Sequence, residues 1–192
     1  MTRRLLDTTV LNNFAQVQRP DLLRLVLGET AATTPTVMAE LRDGERLGYV
    51  PVCDWAWLSV LKPTAEESDV AEGWETLLDR GEAECLAVAE ARGYVFLSDD
   101  FAARRLAQQR RVAVSGTIGV LLLLIRGAHL TTVEADVLIA AMIGHGYRSP
   151  VQSLKDLLLA EVAVHRVGES VGEGGADARL SEQPGLVGIA DE

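Results

Sequence analysis

The stretch from Tyr94 to Arg104, YVFLSDDFAAR, decides the fold class of this chain. Its first four residues form a continuous apolar run, which is typical of strands that are buried on both faces of a parallel sheet. Two aspartates follow, and a helix is then predicted over Phe101–Arg110. A buried strand that leads into a helix is the unit from which parallel α/β sheets are built.

The same alternation of short strands and helices runs through the rest of the chain. At its start, Arg3–Asp7 is predicted as a strand and Thr8–Val17 as a helix, because apolar residues recur there at helical spacing. The pattern predicts an α/β fold with a central, mostly parallel sheet of about five short strands. The other predicted strands are 31–34, 57–61, 94–97 and 112–114, and the other predicted helices are 21–27, 36–42 (stopped at Asp43-Gly44), 64–80, 82–92, 118–125, 133–143 and 151–164.

Length and composition limit the classes to which the protein can belong. Of its 192 residues, 48% are hydrophobic, so a sizeable core is available and global disorder is excluded. Two cysteines are too few for a disulfide framework, and no secretory signal pattern opens the chain. The longest apolar run, Thr117–Ile125, is too short for a bilayer span, which needs ~20 residues. We therefore expect a cytoplasmic protein without a membrane partner.

The charge of the chain is unevenly distributed. The net charge of −10 argues against a general nucleic-acid coat protein. Residues 168–192 hold six acids, one base and six glycines, with little apolar periodicity. We predict one domain over residues 1–166, followed by a Gly-rich, acidic and disordered tail over 167–192.

Several common catalytic motifs are absent from the sequence. It contains no phosphate-binding loop, no dinucleotide fingerprint and no serine-hydrolase elbow. Two cysteines 32 residues apart and three isolated histidines cannot supply an ordinary zinc site. The remaining chemistry is carried by carboxylates.

Acidic residues follow two of the predicted strands. Asp7 ends the first strand, and Asp99 and Asp100 follow the strand of the opening stretch. In parallel α/β sheets, sites form at the carboxyl ends of the strands, and carboxylate oxygens suit Mg²⁺ or Mn²⁺. A structural interpretation stays open, because Asp at a helix start is an ordinary N-cap. Two further candidates on predicted helices, Glu82 and Glu84, are also favoured there by the helix dipole, and Glu40 fits a solvated helix face.

Five segments follow one another along the chain: LLDTTVL (5–11), TVMAEL (36–41), GEAECLAVA (81–89), FLSDDFAAR (96–104) and SGTIGVL (115–121). Their residues and their order resemble the motifs of PIN-domain ribonucleases, in particular the VapC-like toxin subgroup, over about residues 3–165. Gly146-Tyr147-Arg148-Ser149-Pro150 is also similar to the late segment of a bacterial and archaeal PIN subgroup. The resemblance implies a PIN-like three-layer α/β/α sandwich.

This resemblance also implies the site residues. It makes Asp7, Glu40, Glu82 and Asp100 the catalytic, metal-holding acids, with Mg²⁺ or Mn²⁺ as the cofactor. Glu84 competes with Glu82, and Asp99 is the alternate to Asp100. If Glu82 and Glu84 are both helical, they point ~200° apart, so they cannot both face one ion directly.

The resemblance implies a surrounding shell as well. It makes the hydroxyls of Thr8 and Thr117 candidates to hold a metal-bound water or a phosphate oxygen, with a helix cap or an internal turn bond as the competing interpretation. Ser98 stands where relatives often have Thr and is a third candidate of this shell. Arg104 and Arg105 are candidates to contact RNA phosphates. A solvated helix face explains these two arginines equally well.

The implied function is metal-dependent endonucleolytic cleavage of RNA by a metal-bound hydroxide, as the toxin of a toxin–antitoxin pair. The implied partners are an RNA substrate and a cognate antitoxin protein, and a homodimer is compatible with the apolar helices 8–27 and 118–125. Two alternatives remain open at this point. One is a PIN-fold binding module that has lost its metal, and the other is a metal-dependent DNA nuclease.

Overall fold

A five-stranded parallel sheet forms the centre of the computed structural model, which describes residues 3–155 and 157–158. The strands are arranged in the order β3-β2-β1-β4-β5, and each pair of neighbours is parallel. In chain order they are β1 (Arg4–Leu6), β2 (Ala31–Thr33), β3 (Ser59–Val60), β4 (Val95–Leu97) and β5 (Val114–Ser115). The predicted α/β fold is confirmed, and in the described part of the chain the sheet is wholly parallel.

Helices cover this sheet and complete an α/β/α sandwich. Within the described ranges they are α1 (Thr8–Gln16), α2 (Pro20–Leu27), α3 (Pro35–Arg46), α4 (Ala65–Trp74), α5 (Arg80–Arg92), α6 (Phe101–Gln109), α7 (Thr117–Arg126) and α8 (Thr132–Gly144). One short 3-10 turn, Gly28–Thr30, joins α2 to β2. Helices α3, α4 and α6 all contact α5, whereas α7 contacts α2 and α8.

The two central strands are buried in an aliphatic core. Leu5 of β1 and Phe96 of β4 are fully buried, because helices shield strands of this kind from water on both faces. Helix α1 buries Val10 and Phe14, as their spacing predicts. The ends of β1 and β4 are therefore held firmly by packing, and so are the polar residues that follow them.

Helix α3 does not stop at Asp43-Gly44 as predicted, but continues to Arg46. The carbonyl of Gly44 accepts hydrogen bonds from the amides of Tyr49 and Val50, at 2.9 and 3.2 Å. A Cβ at position 44 would lie 2.7 Å from the Val50 side chain. Gly44 is thus needed for this close approach and does not mark the end of the helix.

The predicted helix over 64–80 is also wrong at its end, because α4 finishes at Trp74. The amides of Leu77 and Leu78 close a turn on the Trp74 carbonyl. Helix α5 then begins at Arg80, two residues before the predicted start, so Gly81 lies in its first turn. This shift places Gly81 next to the candidate site.

Strand β5 begins at Val114, two residues later than the predicted strand 112–114. The preceding residues close helix α6 instead, since the Val112 amide donates to the Ala107 carbonyl at 2.9 Å and Arg111 has a φ of 59°. The chain can pair with β4 only after this turn, and the Phe96 amide donates to the Ala113 carbonyl there.

The chain divides into two units, residues 1–155 and 156–192. All elements named above belong to the first unit. The predicted helix 151–164 is wrong at its start, because residues 151–153 are not helical and helix begins at Leu154. Half of this predicted helix (156 and 159–164), the predicted domain end at residue 166 and the predicted tail 167–192 lie outside the described residues. No helix in the part of the chain that the structure describes is both long and apolar enough to cross a membrane.

Candidate active site

Asp7 follows β1, and Asp99 and Asp100 follow β4, so these predicted acids lie at the carboxyl ends of two neighbouring strands. The sheet order runs outward in both directions from this pair, and such a switch point is where ligands bind in open parallel sheets. The backbone fixes the two ends together, because the Asp7 amide donates to the Leu97 carbonyl at 3.1 Å. Asp7 therefore lies beside the Ser98-Asp99-Asp100 segment.

Asp7 is fully buried and caps helix α1. Its Oδ1 accepts hydrogen bonds from the Thr9 amide (3.0 Å), the Thr9 hydroxyl (2.7 Å) and the Val10 amide (3.2 Å). Its Oδ2 is buried too and has no hydrogen-bond partner among the described residues. We call this atom the open oxygen of Asp7. A buried polar atom in this state is costly unless a ligand completes it.

Burial also changes the acidity of Asp7. Loss of hydration raises its pKa to about 7, against the opposing effects of the Ser98 and Thr9 hydroxyls and the Val10 amide. The negative charge of Asp99 raises the pKa further. A carboxyl group that ionises only near neutrality is poised to exchange its proton for a cation.

Glu40 reaches the same place from helix α3. Its Oε2 accepts from the Thr8 hydroxyl, and its Oε1 accepts from the Gly81 amide at 3.0 Å. A Cβ at position 81 would lie 2.5 Å from Oε2 and 2.8 Å from the carboxyl carbon. Any larger residue at position 81 would therefore displace the Glu40 carboxylate from its present position.

Glu82 follows Gly81 in the first turn of α5 and lies in the field of the other acids. Burial raises its pKa to about 8, and the charges of Asp100 and Asp7 add to that rise. Its Oε2 accepts from the Asp79 amide at 3.2 Å, as in a capping box. The charges of Asp7 and Asp100 thus act on Glu82, the residue that the resemblance implies as the third acid.

Glu84 points elsewhere. It accepts from the hydroxyl of Thr36 at 2.7 Å and from the Thr36 amide at 3.3 Å, at the start of α3. The rotation of about 100° per residue along α5 separates it from Glu82. The structure thus gives Glu84 a place between two helices, not beside Asp7.

Asp99 and Asp100 are adjacent in sequence but differ in their surroundings. Asp100 caps α6 through the Ala103 amide at 2.8 Å, and its own amide donates to the Ser98 hydroxyl. Asp99 accepts four hydrogen bonds, from Asn13 Nδ2 (3.0 Å), the Thr117 amide (3.0 Å), the Thr117 hydroxyl and Tyr147 Oη (3.3 Å). We call Asp99, Asn13, Thr117 and Tyr147 the Asp99 network.

The predicted hydroxyl residues all contact acids, although with different partners. Thr8 donates to Glu40, and Thr117 donates to Asp99. Ser98 is fully buried, accepts from the Asp100 amide at 3.1 Å and lowers the pKa of Asp7. Each therefore orients a carboxylate.

The two predicted RNA-contacting arginines, Arg104 and Arg105, differ in their surroundings. Arg104 Nη1 donates to the backbone carbonyls of Ser98 (2.8 Å) and Ser115 (2.7 Å), so its guanidinium ties the end of β4 to the end of β5. Arg105, the next residue of α6, lies about 100° further around the helix and is exposed. Arg104 holds the frame of the site, and Arg105 is available to a ligand in solution.

Sequence reasoning missed four residues that shape the site: Thr9, Asn13, Gly81 and Tyr147. Asn13 carried a signal, since it is a polar residue on the apolar face of α1, at helical spacing from Val10. Thr9, Gly81 and Tyr147 carried none that the chain alone reveals. Their roles depend on partners 90, 41 and 48 residues away.

The donor set suits a hard divalent cation. Asp7, Glu40, Glu82 and Asp100 offer carboxylate oxygens, and the open oxygen of Asp7 needs a partner. As the side chains are placed, no three Asp, Glu, His or Cys residues within 3–155 and 157–158 form a ready metal cluster.

A protein-family model described as a PIN domain matches residues 3–161, which include all five strands and all the acids named above. A search of curated proteins found no match.

Proposed function

The chain belongs to the PIN-domain family, whose members are generally nucleases and typically use divalent metals, and from this premise we propose that it is a metal-dependent endoribonuclease. The proposed reaction is hydrolysis of RNA phosphodiester bonds with Mg²⁺ or Mn²⁺. We further propose that it is a toxin of the VapC-like subgroup and is held in check by a cognate antitoxin protein.

One observation carries the nuclease proposal. The open oxygen of Asp7 is buried at the switch point of the sheet, beside two more carboxylates, Glu82 and Asp100. Burial is the main cause that raises the pKa of Asp7 to about 7 and that of Glu82 to about 8, and the charges of Asp100 and Asp7 add to the rise at Glu82. A divalent cation removes the repulsion between these charges and completes the open oxygen.

In the proposed site, Asp7, Glu40, Glu82 and Asp100 hold the cation. When bound, the cation supplies an activated water and neutralises charge on the phosphoryl oxygens. Thr8 and the Gly81 amide hold Glu40 in place, and the amides at the start of α1 hold Asp7. The exposed Arg105 is the proposed contact to an RNA phosphate.

Single-stranded or looped RNA is the proposed substrate, because its exposed backbone can enter a cleft at a sheet edge. Two readouts separate the toxin proposal from a role in RNA processing. One is growth arrest on induction that Asp7→Asn relieves, and the other is a neighbouring gene that encodes a short DNA-binding protein.

The decisive experiment is cleavage of total RNA with mapped ends, with Mn²⁺ and with EDTA, by wild type, Asp7→Asn and Glu84→Gln. Wild type and Glu84→Gln should cleave only with Mn²⁺, whereas Asp7→Asn should lose more than the ~10–100-fold that an outer hydrogen bond costs. Glu84 is the matched control because it bonds to Thr36. Equal cleavage by wild type and Asp7→Asn would overturn the proposal.

Two further measurements distinguish the proposed ribonuclease from a DNA nuclease and from a binding module. Matched RNA and DNA oligonucleotides distinguish a ribonuclease from a DNA nuclease. Calorimetry with Mn²⁺ distinguishes either enzyme from a binding module, which would not take up the ion. The homodimer stays a prediction that sedimentation can test, and Leu25 of α2, 54% exposed, is an apolar residue available to such a contact.

A further inference from the structure

Thr9 is a residue that neither its position in the sequence nor the family match singles out. We infer that Thr9 is a positioning residue for the proposed nuclease: its hydroxyl turns the Asp7 carboxylate so that the open oxygen is presented to the cation. The inference rests on the proposed function, because it assumes that Asp7 binds a divalent ion.

Hydrogen-bond accounting fixes the direction of the Thr9 hydroxyl. The Asp99 amide lies 2.9 Å from Thr9 Oγ1, and an amide N–H can only donate. Thr9 Oγ1 therefore accepts from Asp99. Its single proton is left for the other neighbour, Asp7 Oδ1, at 2.7 Å.

This direction divides the two oxygens of Asp7 into different roles. Oδ1 takes the Thr9 hydroxyl in addition to the Thr9 and Val10 amides, so it receives three donors. Capping the helix requires only the amides. The hydroxyl adds a third bond to the same oxygen and leaves Oδ2 as the oxygen to which a cation can bind.

Thr9 also joins the two halves of the site. Through one oxygen atom it connects the carboxylate that follows β1 with the backbone that follows β4. The distance between Asp7 and Asp100, which must hold the same ion, therefore depends on this bridge. Outer hydrogen bonds of this kind typically contribute 10–100-fold to metal affinity or activity.

The test compares Thr9→Val, which keeps the branched shape without the hydroxyl, with Thr9→Ser, which keeps the hydroxyl. Mn²⁺ affinity is measured by calorimetry, and kcat and KM for RNA are measured at saturating Mn²⁺. Thr9→Val should bind Mn²⁺ ~10–100-fold more weakly and lower kcat more than it changes KM, while Thr9→Ser restores both. Thr9→Ala is the second variant should valine prevent folding.

A matched control exists at the same edge of the sheet. Thr33 is fully buried, and its hydroxyl donates to the Leu6 carbonyl at 2.7 Å, one residue before Asp7. Thr33→Val loses a comparable buried bond without touching a carboxylate, so it should lower thermal stability and leave Mn²⁺ affinity within about twofold.

The outcomes separate the two proposals. If wild type binds Mn²⁺ and folded Thr9→Val or Thr9→Ala binds it equally well, Thr9 is only structural and the inference is overturned. The same conclusion follows if Thr33→Val weakens Mn²⁺ binding as much as Thr9→Val. If wild type neither binds Mn²⁺ nor cleaves RNA, the proposed function fails and the inference fails with it.

Discussion

Asp7 and Asp99 follow neighbouring strands of one sheet, yet their surroundings are opposite. Asp99 accepts four hydrogen bonds, from side chains and backbone of α1, α7 and the segment after α8. Asp7 accepts its three hydrogen bonds from α1 on Oδ1, while its buried Oδ2 has only the nearby Ser98 hydroxyl to favour its charge. The Asp99 carboxylate receives hydrogen bonds from the protein on both of its oxygens, whereas Oδ2 of Asp7 is left for a ligand.

This difference distinguishes a structural acid from a functional one when both lie at the carboxyl ends of the strands. A fully bonded carboxylate repays its burial through its partners, so it stabilises the fold. A carboxylate with an open oxygen costs stability, and a cation that binds only the native state offsets that cost. Variants of Asp99, Asp7 and Gly81 and a pH series test this contrast between a completed and an open carboxylate, beginning with the largest expected effect.

Replacing Asp99 should have the largest effect, and the effect should be on folding. Asp99→Ala leaves the buried donors of Asn13, Thr117 and Tyr147 without their acceptor, which costs about 4 kcal/mol of unfolding free energy in total. Urea unfolding in EDTA measures it. Asp7→Asn should cost no more than about 1 kcal/mol in the same assay, because it mainly weakens a helix cap.

If Asp99→Ala were no more destabilising than Asp7→Asn, the contrast between the two acids would be wrong. Asp99→Asn provides a finer control, since it keeps an acceptor oxygen and the shape of the side chain. Its free energy of unfolding should lie between those of wild type and Asp99→Ala.

The next largest effect should be the change in the free energy of unfolding with pH. Folding raises the pKa of Asp7 from 3.8 to about 7 and that of Glu82 from 4.5 to about 8, so between these values the native state binds more protons than the unfolded state. Stability is therefore full below about pH 4 with respect to these two groups and is lost as the pH rises through 7 to 8. The loss between pH 5 and 9 should be on the order of 3 kcal/mol in EDTA.

Urea unfolding from pH 5 to 9, with EDTA and with Mn²⁺, checks this sign. Mn²⁺ should flatten the decline, because the ion replaces the protons. The double variant Asp7→Asn, Glu82→Gln should lose the decline altogether. Stability that rises from pH 5 to 9 in EDTA would contradict the buried, unpaired state of these acids.

The smallest of the three effects should follow from adding one methyl group at Gly81. Gly81→Ala places a Cβ against the Glu40 carboxylate, so Glu40 must move away from the site. RNA cleavage should fall on the order of 100-fold, about 2.7 kcal/mol of transition-state stabilisation.

Gly73→Ala in α4 is the matched control, because a Cβ there meets nothing within 4 Å. It should leave cleavage unchanged and raise stability by up to about 1 kcal/mol. If Gly81→Ala cleaved RNA at the wild-type rate, Glu40 would not be part of the catalytic site.

The sequence alone predicts the order of strands and helices well, because apolar runs and helical spacing are local features. Errors occur where a glycine serves a tertiary contact. Gly44 admits Val50 inside a helix, and Gly81 admits Glu40 at the start of one, yet both glycines resemble helix breakers in the sequence. The reason for each glycine is a side chain from another part of the chain.

By itself, then, the sequence determined an α/β chain with acids after its first and fourth strands, since strand ends and helix starts follow from local pattern. The tertiary structure alone decided the surroundings of each acid. It brought Glu82 under the charges of Asp7 and Asp100, placed Glu84 against Thr36, and surrounded Asp99 with donors while leaving Asp7 an open oxygen. The physical reason is that burial and hydrogen-bond partners come from residues far apart in the chain, and no local pattern records them.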